Sequence, residues 1–124
     1  MRVEVEAPCN PTEDVKKVEK AVKKIFPDLE ISIKAGRLIG TGSSIGRFGE
    51  CLKDQRIRSA ARAVLLSSQT ANRVTFTLNK QVAFIGKVSF GSGSPLGDIS
   101  VTIVDDDIDS IIDSIAPRLG DVSE

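Results

Sequence analysis

The sequence predicts an α+β protein. The expected architecture is a two-layer sandwich, β-α-β-β-α-β-β-β-α, with a largely antiparallel sheet packed by helices. Three observations lead there. Six stretches alternate apolar and polar residues with the period of two that marks a half-buried strand. The strands arrive in hairpins rather than singly between helices, which points away from a parallel sheet. Three further stretches each carry one apolar stripe at helical spacing, enough to cover one face of a sheet.

Taken in order, residues 2–7 (RVEVEA) turn Val3, Val5 and Ala7 to one side and Arg2, Glu4 and Glu6 to the other. Cys9-Asn10-Pro11 breaks the strand. Thr12 is then placed as an N-cap, with Glu13 and Asp14 in the first turn, where the helix dipole favours acids. Val15, Val18, Val22 and Ile25 follow at helical spacing, with lysines 16, 17, 20, 23 and 24 elsewhere on the wheel, and Pro27 ends the helix. Residues 29–34 and 37–41 alternate around Ala35-Gly36 and form a hairpin. Ser43 or Ser44 caps a longer helix running to Leu66, its start weakened by Gly46 and Gly49, each worth about 1 kcal/mol against alanine. Val74, Phe76 and Leu78 alternate in 73–78, Asn79-Lys80 suits a tight turn, and 82–90 is the return strand. Residues 91–97 form a loop and 98–104 the last strand. Asp105 or Asp106 caps a final helix with Ile108, Ile111, Ile112 and Ile115 on one stripe, stopped by Pro117.

At 124 residues, 40% hydrophobic and 27% charged, the chain is expected to form one domain, 1–124, that needs no disulfide to fold. No apolar run approaches the roughly 20 residues of a membrane span. The N-terminus lacks a signal-peptide pattern, so the expected location is cytoplasmic, without a membrane partner. Cys9 and Cys51 fit neither a CxxC nor a zinc pattern and are expected as reduced thiols. Few Asn and Gln against many Lys, Glu and Ile lean towards a thermophile. Histidine, tyrosine and tryptophan are absent, which removes the commonest general base and every Ser-His or Cys-His nucleophile. No catalytic residue, metal or cofactor is expected, and the balance points away from an enzyme.

The net charge of zero hides a segregation. Residues 1–36 balance at seven basic and seven acidic groups; 37–97 carry nine basic and two acidic; 98–124 carry one basic and eight acidic. Either the basic middle faces an anionic partner, or it meets the acidic tail within a chain or across a homodimer. On a helical wheel Arg58 and Arg62 lie in the polar wedge, as neighbours of like charge. Arg56 falls inside the apolar arc, which suggests a desolvated pair with a carboxylate, a structural ion pair rather than a ligand contact.

Two motifs tempt. TGSSIGRFG (41–49) resembles the T-G-x-x-x-G-x-G of short-chain dehydrogenases, but Phe48 holds the last position and no tyrosine exists for their catalytic pair. DDDIDSIID could suggest magnesium, but acids at a helix start suit the dipole without a metal. Phe76, Phe84 and Phe90 interleave with Arg73, Lys80 and Lys87; their alternation reads as core rather than a base-stacking platform.

RVEVEAPCNPTEDVKKVEKAV, QRIRSAAR, FTLNKQVAFIGKVSF and SPLGDISVTI, in that order, resemble a small family of archaeal proteins sometimes labelled predicted exosome subunit or RNA-binding. The resemblance covers nearly the whole chain. It implies a fold similar to large-subunit ribosomal protein five, and no catalytic residues. Members usually carry charged helix formers where this chain has Gly46 and Gly49. The expected function is a non-catalytic RNA-associated protein. It would present Arg47, Arg58, Arg62, Arg73, Lys80 and Lys87 to phosphates, with Asn79 and Gln81 bonding bases or sugar. The partner would be RNA or an RNA-processing complex. The alternative is a dimeric assembly module whose basic segment pairs with the acidic C-terminal segment.

Overall fold

The computed structural model describes residues 1–91, 97–118 and 120. Within them the chain is α+β. Five strands form one antiparallel sheet: β1 (Arg2–Pro8), β2 (Glu30–Lys34), β3 (Arg37–Gly42), β4 (Arg73–Asn79) and β5 (Asp98–Val104). Their spatial order is β2-β3-β1-β5-β4. The helices are α1 (Val15–Ile25), α2 (Gly46–Asp54), α3 (Arg58–Ser68), α4 (Lys80–Ala83) and α5 (Ile108–Ile115).

Alternation decides which face is covered. Val3, Val5 and Ala7 of β1 lie opposite Gly42, Gly40 and Leu38 of β3, and Val3 and Val5 lie opposite Ile103 and Val101 of β5. Those side chains are buried with Val18, Ala21, Val22 and Ile25 of α1 and Ile108, Ile112 and Ile115 of α5 in a single core. Phe48 stacks on Phe26 at 5.5 Å and on Phe76 at 5.3 Å, and Phe90 meets Phe76 edge-on. Phe76 thus belongs to the core, as its alternation indicated, and the half-buried Phe90 packs against it. Among the described residues the other sheet face, with Glu4, Glu6, Thr75, Thr77, Ser100 and Thr102, carries no helix layer. Gly49 has a packing reason: a Cβ there would lie 3.0 Å from Ile115 Cγ2, so its absence lets α2 approach α5.

The expected helix starts are each displaced: Asp14 rather than Thr12 caps α1, Ile45 rather than Ser43 or Ser44 stands at the N-cap of α2, and Asp107 rather than Asp105 or Asp106 caps α5. Two larger expectations are also corrected. The long helix over 43–66 is two helices, broken at Gln55–Ile57. Arg56 N–H bonds the Lys53 carbonyl at 3.1 Å and Ile57 N–H the Leu52 carbonyl at 3.0 Å, with Arg56 at φ 58°. That is a Schellman stop, closed by Ile57 packed on the core beside Leu52. Glycine usually holds the left-handed position; arginine here hid the stop from sequence. It also places Arg56 in solvent, so the expected buried ion pair at Arg56 is not formed among the described residues. A left-handed L-residue costs about 1–2 kcal/mol. Arg56→Gly is therefore expected to be neutral or to raise stability by up to about 1 kcal/mol, read as a higher Tm. A clear fall in Tm would contradict this.

The second correction is the return strand at 82–90. Asn79 accepts a bond from Val82 N–H at 3.0 Å and so caps α4. The chain then turns at Gly86, φ 75°, and continues irregularly. Gln55 holds it: its amide donates to the Val88 carbonyl at 2.8 Å and accepts from Val88 N–H at 2.7 Å, standing in for a missing strand. Phe90 makes only an isolated bridge to Leu78. Of the expected loop at 91–97, residues 92–96 lie outside the described residues.

Candidate nucleic-acid interface

A basic side chain serves an anionic partner only where its head group stays in water and is not already neutralised. By that test the central basic segment divides. Lys80 is fully buried. Its Nζ donates to the Pro8 carbonyl at 2.6 Å and to Glu13 Oε1 at 3.0 Å. Its expected phosphate contact is corrected: Lys80 clamps the 8–13 loop to the core. Arg62 is also withdrawn. Its guanidinium donates to Asp113 Oδ1 at 2.7 Å and to the Ala116 carbonyl at 3.0 Å, and its side chain is 16% exposed. Here the acidic tail does meet the basic middle, within one chain. The Asn79 side-chain oxygen is used by the α4 cap.

The other expected contacts fall in three places, whatever their pairing. Arg58 is half-buried at a groove it lines with Gly46, Gly49 and Ser114. Arg73 is exposed on the uncovered sheet face, since its neighbour Val74 points into the core. Arg47 and Lys87 line one groove with the acid Asp54 and with Cys51, Gln55, Ile85 and Gly86, and Gln81 is exposed on α4. Arg47 is paired with Glu50 at 3.1 Å, with both side chains largely in solvent, an arrangement worth little and easily exchanged for a phosphate.

A run of exposed lysines lies elsewhere. On α1, Val18, Ala21, Val22 and Ile25 face inward, which sends Lys16, Lys17, Lys20 and Lys24 outward. Lys16, Lys20 and Lys24 form one row, each about 6 Å further along the axis. Glu19 is the single acid on the helix, and it lies 3.9 Å from Lys23. Lys24 Nζ donates to the Phe84 carbonyl, a neutral acceptor that leaves the charge in place. That bond joins α1 to the 84–87 turn, which carries the exposed Lys87. Like charges at i, i+4 destabilise a helix by a few tenths of a kcal/mol each. The core stripe of α1 must offset that cost.

This surface was hidden by adding charges along the chain. Of the acids that cancelled the lysines of 1–36, Glu19 and the capping Asp14 stay at α1 and the other five are held elsewhere. Glu4, Glu6 and Glu30 are on strands. Asp14 caps α1, accepting from Lys16 N–H at 2.9 Å. Asp28 accepts from Ser43 N–H, and Glu13 is held by Lys80. The signal available in sequence was the spacing KKVEKAVKK itself.

Burial pushes the Glu13 carboxyl up, but the Asn10 N–H and the Lys80 ammonium outweigh it and hold the group below its ordinary value. A depressed carboxylate stabilises the fold above its unfolded pKa, about 4.3, and loses that contribution as pH falls through the lower folded value. Acid unfolding is expected to shift to higher pH in Glu13→Gln, which lacks this ionic contribution throughout. An unchanged acid midpoint would contradict it.

Cys9 and Cys51 are free and buried, and burial pushes the Cys51 thiol up. Among the described residues no group of His, Cys, Asp and Glu is arranged to hold a metal. No helix there is long and apolar enough to cross a membrane.

Fold and surface together define a class: an antiparallel α+β module with one sheet face covered and a cationic first helix on the covered side. Residues 2–104 match the model of a family described as RNA binding. A UPF0201 protein of Methanothermobacter thermautotrophicus is 42% identical over 120 residues, covering 94% of this chain and 91% of its own length. The chain therefore belongs to the UPF0201 family. The crystal structure of a UPF0201 protein from Methanococcus jannaschii superposes with a TM-score of 0.90 at 38% identity, covering 96% of this chain and 95% of that one. A relative in Archaeoglobus fulgidus, a UPF0200/UPF0201 protein, is 37% identical over 98% of this chain but only 39% of its own length.

Proposed function

We propose that the protein is a non-catalytic RNA-associated module that holds the phosphate backbone on α1. Lys16, Lys17, Lys20 and Lys24 supply the centre of the surface, and Lys87 and Arg47 extend it. The single observation behind this reading is the one-sided lysine row of α1, in a chain whose residues 2–104 match a family described as RNA binding. Gln81, exposed on α4, can hydrogen-bond sugar hydroxyls. If six phosphates are neutralised, log K for RNA should fall against log salt with a slope of about −4 to −5. A flat salt response, or no RNA affinity at low salt, would end the proposal.

A second reading, an assembly module, is favoured by the sheet face without a helix layer and by the fused relative in Archaeoglobus fulgidus. That reading expects the basic segment to pair with the acidic C-terminal segment, and the Arg62–Asp113 pair, made inside one chain, is one such contact. Sedimentation showing a salt-sensitive dimer without RNA affinity would favour assembly.

A further inference from the structure

We infer that the RNA recognised by the α1 surface is base-paired rather than single-stranded. The inference rests on the RNA reading above and narrows it to one ligand class.

Proteins that hold single strands combine a cationic groove with exposed aromatic side chains on which bases stack, and each stacked base strengthens binding roughly tenfold or more. This chain has no tryptophan, tyrosine or histidine. Its five phenylalanines all fall within the described residues. Phe26, Phe48 and Phe76 are buried. Phe84 and Phe90 are half-buried and packed against the core. The large apolar residue most exposed near the lysine row is Ile85, 69% in solvent, which has no π-face to offer. A single strand meeting this surface would find charge but no platform, and would leave its bases in water.

A duplex asks for something different. Its bases are already stacked and paired, its backbone presents phosphates at fixed spacing, and its shallow groove offers sugar hydroxyls. The α1 surface matches those demands. Lys16, Lys20 and Lys24 cover about 12 Å along a straight helix, pre-spaced by its turns. Lys17 stands beside that row, and the bond between Lys24 and the Phe84 carbonyl ties it to the 84–87 turn, which carries the exposed Lys87. The row sits on a helix fixed by four buried residues, so little ordering is needed when a rigid array of phosphates docks. Gln81 supplies an amide that can both donate to and accept from a 2′-hydroxyl.

The test uses the whole chain and three labelled probes of one sequence: an RNA duplex of about 16 base pairs, its separated strand, and the matching DNA duplex. Fluorescence anisotropy in a common buffer reads the three affinities. The RNA duplex is expected to bind at least about tenfold more tightly than the strand. Equal or tighter binding of the strand would overturn this inference and leave the RNA reading standing. No binding of either RNA would overturn both. A preference for the strand that persists in Phe84→Ala would further exclude concealed stacking as its source.

Discussion

Lys80→Ala is expected to destabilise the protein by about 3–5 kcal/mol, the largest effect of any single substitution of a charged residue here. Removing the ammonium leaves Glu13 ionised and nearly buried, and leaves the Pro8 carbonyl without its donor. The damage falls where two distant parts of the chain are joined, since Lys80 is 67 residues from Glu13. Denaturant unfolding measures it. The double variant Lys80→Met/Glu13→Gln should recover part of the loss, because it removes both charges rather than one. If Lys80→Ala instead left stability within about 0.5 kcal/mol of the parent and lowered RNA affinity, Lys80 would be a ligand contact after all.

The second large effect is on binding. Lys16→Glu/Lys20→Glu/Lys24→Glu should weaken RNA binding by about a hundredfold or more at 0.1 M salt, with the fold intact by circular dichroism. These heads lie on the outer side of α1, so reversal removes phosphate contacts without opening the core. Net charge alone would also weaken binding, so a matched control is needed. Lys34→Glu/Lys53→Glu/Arg73→Glu makes the same change in charge at exposed positions off α1. It should lose far less affinity. Equal losses in the two variants would mean that a diffuse field, and not a site on α1, attracts RNA.

Much of the fold was legible because it follows from local rules. The alternation of Val3, Val5 and Ala7, and of Ile99, Val101 and Ile103, needs no knowledge of the partner strand to indicate a buried face. The stripe of α1 and the isoleucines of α5 are equally local. The two largest errors came from residues whose local preference was overridden by tertiary contacts, whereas the helix starts were displaced by only one to two residues. Arg56 occupies a left-handed stop that glycine would have announced, because Ile57 and Leu52 close the turn over the core. Residues 82–90 alternate like a strand, yet Gln55 holds Val88 and Asn79 caps α4, so the segment turns aside.

The candidate site was less legible, for a physical reason. A charge count along the chain treats neighbours in sequence as neighbours in space. Lys80 stands in a basic stretch but is neutralised by Glu13, and Arg62 by Asp113. The α1 lysines stand in a neutral stretch whose acids are spread over strands, caps and a buried pair. Helical spacing, not composition, held the information.

The most direct measurement is the slope of log K against log salt for RNA duplex binding, compared between the parent chain and Lys16→Glu/Lys20→Glu/Lys24→Glu. Loss of three phosphate contacts should make the slope shallower by about 2 to 3. An unchanged slope, whatever the absolute affinity, would show that the phosphates are held somewhere other than α1.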